Sequence, residues 1–150
     1  MSHSFNKIWV HAIWSTKKRQ TFIQSSIETK LHQLIKEQLQ DQGCVVRIVN
    51  GMPDHIHCLF LLDRNKSIAE VIKQTKGSSS YFVNKNNLIP EKFAWQTGYA
   101  AFSVSESIAD KVFFYIKNQK QHHQKTDYIR EYKGFLKKHE LGGSSKYGNG

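Results

Sequence analysis

Apolar and polar positions change period several times along the chain, and each change marks an element. "KIWVHAIW" (7–14) is β-branched and aromatic, and predicts a strand. A basic loop, "TKKRQ", follows. Ser25 and Glu28 have the spacing of a capping box, and Ile27, Leu31, Leu34, Ile35 and Leu39 recur at helical spacing, which predicts a helix over 25–42 that Gly43 ends. "CVVRIVN" (44–50) and "HIHCLFLL" (55–62) predict two further strands, with "GMPD" between them short enough for a hairpin. Ser67 and Glu70 form a second capping box. It opens a helix with Ile68, Val71, Ile72 and Thr75 inward that runs to about Phe82, weakened by Gly77. "FAWQTGYAAFSVS" (93–105) holds one or two strands around Gly98. A third helix starts near Ser107, and "DYIREYKGFLKKHE" (127–140) is a fourth, weaker helical stretch.

The predicted order is β-α-β-β-α-β-α. Its first six elements match the split βαβ plan, so the expected fold is α+β: a ferredoxin-like (RRM-like) antiparallel sheet with helices on one face, the other face open, and a further C-terminal helix. A single domain is expected over 1–140, followed by a Gly/Ser-rich, frayed tail at 141–150.

Charge narrows the choice of partner. The 150 residues carry 22 Lys plus Arg against 12 Asp plus Glu, a formal net charge of +10. That surplus favours a polyanion, nucleic acid ahead of an anionic membrane, because no basic amphipathic membrane helix is evident. Candidate DNA-binding residues are Lys17, Lys18 and Arg19 after the first strand, Lys73 and Lys76 on the second helix, and Lys117, Lys120 and Lys125 along and beyond the third. Each of these, taken singly, also reads as a solvated surface charge. Trp95, Tyr99 and Phe102 are candidates for base stacking or for the core. Cys44 and Cys58 fall in apolar runs and read as small core residues rather than a disulfide. No apolar stretch reaches membrane-spanning length and no signal-like h-region precedes the first strand, so the expected location is the cytoplasm, with no membrane partner.

Two histidines head the third strand. Side chains in a strand alternate, so His55, His57, Leu59 and Leu61 share one face, and Ile56, Cys58, Phe60 and Leu62 the face assigned to the helices. Both imidazoles then point the same way and can reach one cation. Asp54 is adjacent but points the other way if the strand has begun. A lone H-x-H also fits two structural histidines at a strand start. On the third helix Tyr115 and Gln119 are i and i+4, one above the other, with Lys111 and His122 near the same stripe. Val112, Phe113 and Ile116 turn away to be buried. That stripe fits a functional face, or a solvated polar one.

"MPDHIHCLF", then "WQTGYAAFSVS", then "FYIKNQKQHH" together resemble the single-tyrosine HUH transposases of small insertion sequences that move as single-stranded DNA, relatives of the REP-associated tyrosine transposases. The resemblance runs from about Lys7 to about Leu136. It implies that Tyr115 is the catalytic tyrosine, that His55 and His57 are metal ligands, and that Gln119 is the third ligand, with His122 and His123 as competing candidates. It implies Mg²⁺ as the metal, with Mn²⁺ as the alternative. It further implies single-stranded DNA with hairpin ends as substrate, and a homodimer in which the tyrosine helix serves the histidine pair of the partner subunit. The implied reaction cleaves and rejoins single-stranded DNA through a 5′-phosphotyrosine. Three further readings stay open on the sequence: a domesticated relative that nicks repeat hairpins, a two-histidine phosphoesterase or zinc hydrolase, which would want a second H-x-[ST] or more carboxylate and cysteine ligands, and a non-catalytic RRM-like single-strand-binding module. The module would lack any need for the histidine and tyrosine set, and no RNP1-like run is present.

Overall fold

Among the described residues, four strands form where the period-two runs lie: β1 (Trp9–Ser15), β2 (Val45–Met52), β3 (His55–Leu61) and β4 (Ala100–Val104). They pair in the order β2-β3-β1-β4, every neighbour antiparallel, which is the ferredoxin-like order. The segment 93–105 yields one strand, β4, plus an isolated bridge from Trp95 to Thr16. The structure, a computed structural model, describes residues 5–122 and 128–138. The predicted tail at 141–150, His123 and Lys125 lie outside the described residues, as does the side chain of His122. Two compact units divide the chain, Met1–Gln119 and Lys120–Gly150. The first holds the sheet with α1 (Ser25–Asp41), α2 (Ile68–Lys85) and α3 (Ala109–Lys117). A short helix, α4 (Gln119–His122), starts where the first unit ends, and α5 (Tyr128–Lys138) belongs to the second.

One face of the sheet packs on α1 and α2. Val10, Ala12, Trp14, Ile56, Cys58 and Phe60 from the strands meet Leu31, Ile35 and Leu39 of α1 and Val71, Ile72 and Val83 of α2 in one buried cluster. Ile56, Cys58 and Phe60 are thus on the helix-covered face, as their alternation predicts. Both cysteines are free and buried. Burial pushes the thiols of Cys44 and Cys58 up, Cys58 far above the ordinary thiol range, so neither is poised as a nucleophile.

The opposite face is not open. Trp9, Leu59 and Val104 pack there against Ala109 and Ile116 of α3, with Val112, Phe113 and Tyr115 around them. The apolar side chains of α3 need a partner, and the second sheet face supplies it. Strand β2 also clips α3 at both ends. The register slips between Val46 and Ile48, and the extra residue turns Arg47 toward α3. Its guanidinium donates to Asp110 at 2.6 Å and lies 4.7 Å from the centre of the Phe113 ring. Asn50, farther along β2, donates its side-chain N–H to the carbonyls of Ile116 (2.9 Å) and Lys117 (3.2 Å) at the end of the helix.

Helix ends follow the local chemistry, with one correction. Ser67 and Glu70 form the reciprocal capping box expected of them. Ser25 does not cap α1: Gln24 is the N-cap residue, and no side-chain cap bond is made there. Ser25 is already the first helical residue, so its hydroxyl is past the cap position. Gly43 ends α1 as a Schellman motif, with φ +88°, its own N–H on Gln40 (2.9 Å) and the next N–H on Leu39 (3.1 Å). A Cβ on Gly43 would also sit 2.5 Å from a carboxylate oxygen of Asp63. Gly43→Ala is therefore expected to lower stability by about 1–2 kcal/mol, the usual cost of a left-handed L-residue. A thermal melt should fall by roughly 2–8 °C; an unchanged melt would mean that the loop relaxes freely.

Candidate active site

His55 and His57 open β3 just after the hairpin, opposite Ser15 and Ile13 of β1. Their side chains are fully buried, on the face that carries α3 and away from α1 and α2. Their ring centres are 5.2 Å apart. The ring of Tyr115 packs edge-on against His57 in the same chain, centre to centre 5.8 Å. Histidine pair and tyrosine, named from distant parts of the sequence, therefore share one site.

Each imidazole has an orienting partner. His55 donates Nδ1–H to the carboxylate of Asp54 at 2.6 Å. The sequence reading turned Asp54 away on the premise that the strand had begun. The strand begins at His55, and Asp54 belongs to the two-residue turn, where its side chain can fold back. His57 uses Nδ1 toward Nε2 of His11, 2.9 Å away on β1. With both Nδ1 atoms engaged, Nε2 is the nitrogen through which either ring would hold a cation. The donor set fits a divalent ion on that ground: two neutral nitrogens, each held by a second polar group. His11 was missed in the sequence. Its signal was its place in "KIWVHAIW", at the parity of Trp9 and Ile13, on a strand with a histidine pair to neighbour.

Gln119 is fully buried, and its side-chain N–H points back at the carbonyl of Tyr115, 3.5 Å away. The helix does not run unbroken from Tyr115 to Gln119: it pauses at Asn118 (φ −97°, ψ 25°), whose N–H still reaches Phe114 at 3.0 Å. The polar stripe read from Tyr115 to Gln119 needs correction too. Val112, Ile116 and Tyr115 all contribute to the cluster on the sheet, so the tyrosine shares the apolar face instead of lying opposite to it. Positions 112, 115, 116 and 119 are i, i+3, i+4 and i+7, one stripe, and a tyrosine fits it by its ring. Lys111 is exposed.

The basic candidates separate by location. Lys17, Lys18 and Arg19 are exposed and lie at the histidine end of the sheet, because the N–H of Thr16 donates to the carbonyl of Asp54 (2.9 Å). Lys18 and Arg19 both have φ +54°, a left-handed conformation that L-residues adopt at a cost, in a turn closed from Gln20 to Lys17 at 3.2 Å. Lys73 and Lys76 stand on α2, on the other side of the sheet from the histidines. Lys76 donates to the carbonyls of Gln96 (2.8 Å) and Gly98 (2.7 Å), and burial lowers its pKa. Lys117 and Lys120 are exposed. Trp95 is half-buried, donates to Ser79 at 2.9 Å and packs edge-on against Trp14, so it serves the core. Tyr99 is exposed, and Phe102 lies beside His11.

An antiparallel ferredoxin-like sheet thus brings a histidine pair to a helix tyrosine. The "Transposase IS200 like" family model matches residues 4–119, most of the chain, and the chain belongs to that family. It is 26% identical over 114 residues to the ISDra2 transposase TnpA of Deinococcus radiodurans, covering 73% of this chain and 81% of that one. Among solved structures, a candidate transposase from Deinococcus radiodurans superposes with a TM-score of 0.62 at 23% identity, over 79% of this chain and 95% of that one. The REP-associated tyrosine transposase bound to a REP hairpin superposes with a TM-score of 0.60 at 15% identity, over 82% and 74%. The protein is a transposase of the IS200-like, single-tyrosine HUH class.

Proposed function

We propose that this transposase cleaves and rejoins single-stranded DNA through a covalent 5′-phosphotyrosine on Tyr115. The observation that carries the reading is the Tyr115 ring packed on His57, 5.8 Å between centres, in a chain of this family. In the forward step the phenolic oxygen attacks a backbone phosphorus, a new O–P bond forms, and the bond to the 3′ oxygen breaks. The phenol proton is lost to solvent or a base, and the leaving 3′ oxygen gains one. The ester keeps the energy of the bond it replaced, so a 3′-OH can reverse the step without ATP. Phenol ionises near pH ~10, so the attack needs assistance at neutral pH. His55, His57 and the Oε1 of Gln119 would hold a divalent ion, Mg²⁺ or Mn²⁺. When bound, that ion supplies charge neutralisation and orientation of the scissile phosphate. Three neutral ligands leave its charge undiminished, and imidazole favours Mn²⁺ more than it does Mg²⁺.

The substrate proposed is single-stranded DNA flanked by hairpins. The relative solved with a REP hairpin supports a hairpin-binding role. The working form is proposed to be a homodimer with sites shared between subunits. Membership of the IS200-like transposase family supports that reading. The packing of Tyr115 on its own His57 describes a self-contained state of the same site. Mixing inactive Tyr115→Phe with inactive His57→Ala tests the shared arrangement: subunits that exchange and share sites recover cleavage, and self-contained sites do not.

Lys17, Lys18 and Arg19 are proposed to hold backbone phosphates at the histidine end, with Lys117 and Lys120 near the tyrosine in sequence and Lys73 and Lys76 as outlying contacts. The left-handed turn makes a contrary pair of effects testable. Lys18→Gly relieves backbone strain and should raise stability by up to about 1 kcal/mol. The same change removes one cation, so binding to single strands should weaken and the salt dependence flatten by roughly 0.7 of a charge. A variant that melts lower and binds as well as the parent would reverse both inferences. The proposed function itself is tested by incubating the protein with labelled single strands from its genomic flanks, with and without Mg²⁺. Metal-dependent cleavage of the single strand and none of the duplex is expected. Binding without cleavage on every flank would favour a non-catalytic module.

A further inference from the structure

His11 stands on β1, a central strand, with its side chain on the same sheet face as His55 and His57. The pairing sets it opposite Leu59 and makes it the diagonal neighbour of His57, which is opposite Ile13. Its side chain is buried, with a relative exposure of 1%. Nε2 of His11 is 2.9 Å from Nδ1 of His57, and the two rings meet edge to edge, with centres 5.1 Å and planes 29° apart. Tyr115 and Phe102 flank His11, with ring centres 6.4 Å and 6.3 Å away.

One N–H···N bond between two neutral imidazoles contains one proton, and either ring can supply it. If His57 donates Nδ1–H, its Nε2 carries a lone pair. If His11 donates Nε2–H, the proton of His57 sits on Nε2 and blocks that nitrogen. Only the first arrangement leaves His57 able to bind a cation through Nε2. His55 does not face this ambiguity, because the Asp54 carboxylate only accepts.

We propose that His11 is a positioning residue whose Nε2 accepts the Nδ1–H of His57, so that His57 keeps the tautomer with an Nε2 lone pair for a divalent cation. The proposal rests on the metal role given to His57 above. A neutral acceptor suits the position: it orients the ligand as a carboxylate would, without adding a second negative charge to that of Asp54 beside His55. Its place on a central strand, walled by Tyr115 and Phe102, holds the acceptor still.

Two readouts test this, and the first needs no metal. Histidine-selective ¹⁵N NMR of the metal-free protein reports which nitrogen of His57 carries the proton. Nδ1–H is expected in the parent and in His11→Gln, whose Oε1 can accept in place of Nε2, and a mixture of tautomers is expected in His11→Leu. Titration with Mn²⁺, followed by the loss of the free-ion EPR signal, should show His11→Leu weakened by roughly ten- to a hundredfold and His11→Gln close to the parent. Melts without metal separate this from misfolding; if His11→Leu does not fold, the parent's NMR spectrum and the Gln variant decide. A His57 proton on Nε2 in the parent, or parent-like Mn²⁺ affinity in a folded His11→Leu, overturns the proposal. A parent that binds no Mn²⁺ yet keeps the Nδ1–H tautomer only while His11 is present would instead overturn the metal role of His57 and leave the orienting role standing.

Discussion

Tyr115→Phe is expected to abolish formation of the covalent protein–DNA adduct while leaving the fold and single-strand binding nearly intact. The substitution deletes one oxygen. What remains is the ring, and the ring is what packs on His57 and His11 and joins the α3 cluster. Its loss should move stability by no more than about 0.5 kcal/mol, as for most substitutions that leave packing in place. Binding by many phosphate contacts is likewise insensitive to one hydroxyl. Adduct formation should fall at least about a thousandfold, since removal of a nucleophile leaves only what binding and orientation supply. The buried thiols offer no substitute, because burial holds both in the protonated form. Denaturing gels, a melt and a binding titration on the same preparation check all three expectations.

His57→Ala is the second large effect, and it should fail for a different reason. The substitution removes one proposed ligand and leaves His11 without the imidazole 2.9 Å away. Affinity for Mn²⁺ should drop about a hundredfold or more, beyond what loss of an orienting residue costs. Cleavage should disappear at ordinary Mg²⁺ and return in trace at high Mn²⁺. The nucleophile is untouched, so partial rescue by metal marks His57 as a ligand, and Tyr115→Phe should show no such rescue. Stability moves as well, because a fully buried side chain is lost; a melt in the absence of metal measures that part separately. Full cleavage by His57→Ala in a chelator would remove the metal from the account.

The sequence was most legible where one period ran without interruption. Alternation along "HIHCLFLL" set Ile56, Cys58 and Phe60 against α1 and α2 and turned His55 and His57 the other way, as found. Ser67 and Glu70 marked the start of α2, and Gly43 the end of α1. Legibility failed where one side chain answers to two environments. Tyr115 reads as polar by its hydroxyl and packs as apolar by its ring, so the stripe 112–115–116–119 was split in two and the sheet face beneath it was taken to be open. Asp54 folds back onto His55 because the strand starts at His55, so the condition under which it would point away is not met. Arg47 owes its orientation to a bulge that no residue type announces. His11 and Asn50 act across strands, on His57 and on the end of α3, and contacts of that kind follow from register rather than from spacing along the chain.

Tyr115 is proposed to become esterified to DNA. The most direct measurement is to trap the adduct on a single strand with Mg²⁺, digest it, and locate the nucleotide by peptide mass spectrometry. A phosphodiester-linked nucleotide is expected on the peptide that contains Tyr115, absent when metal is chelated. The same mass on a peptide containing Tyr128 or Tyr132, or a normal yield of adduct from Tyr115→Phe, would contradict it.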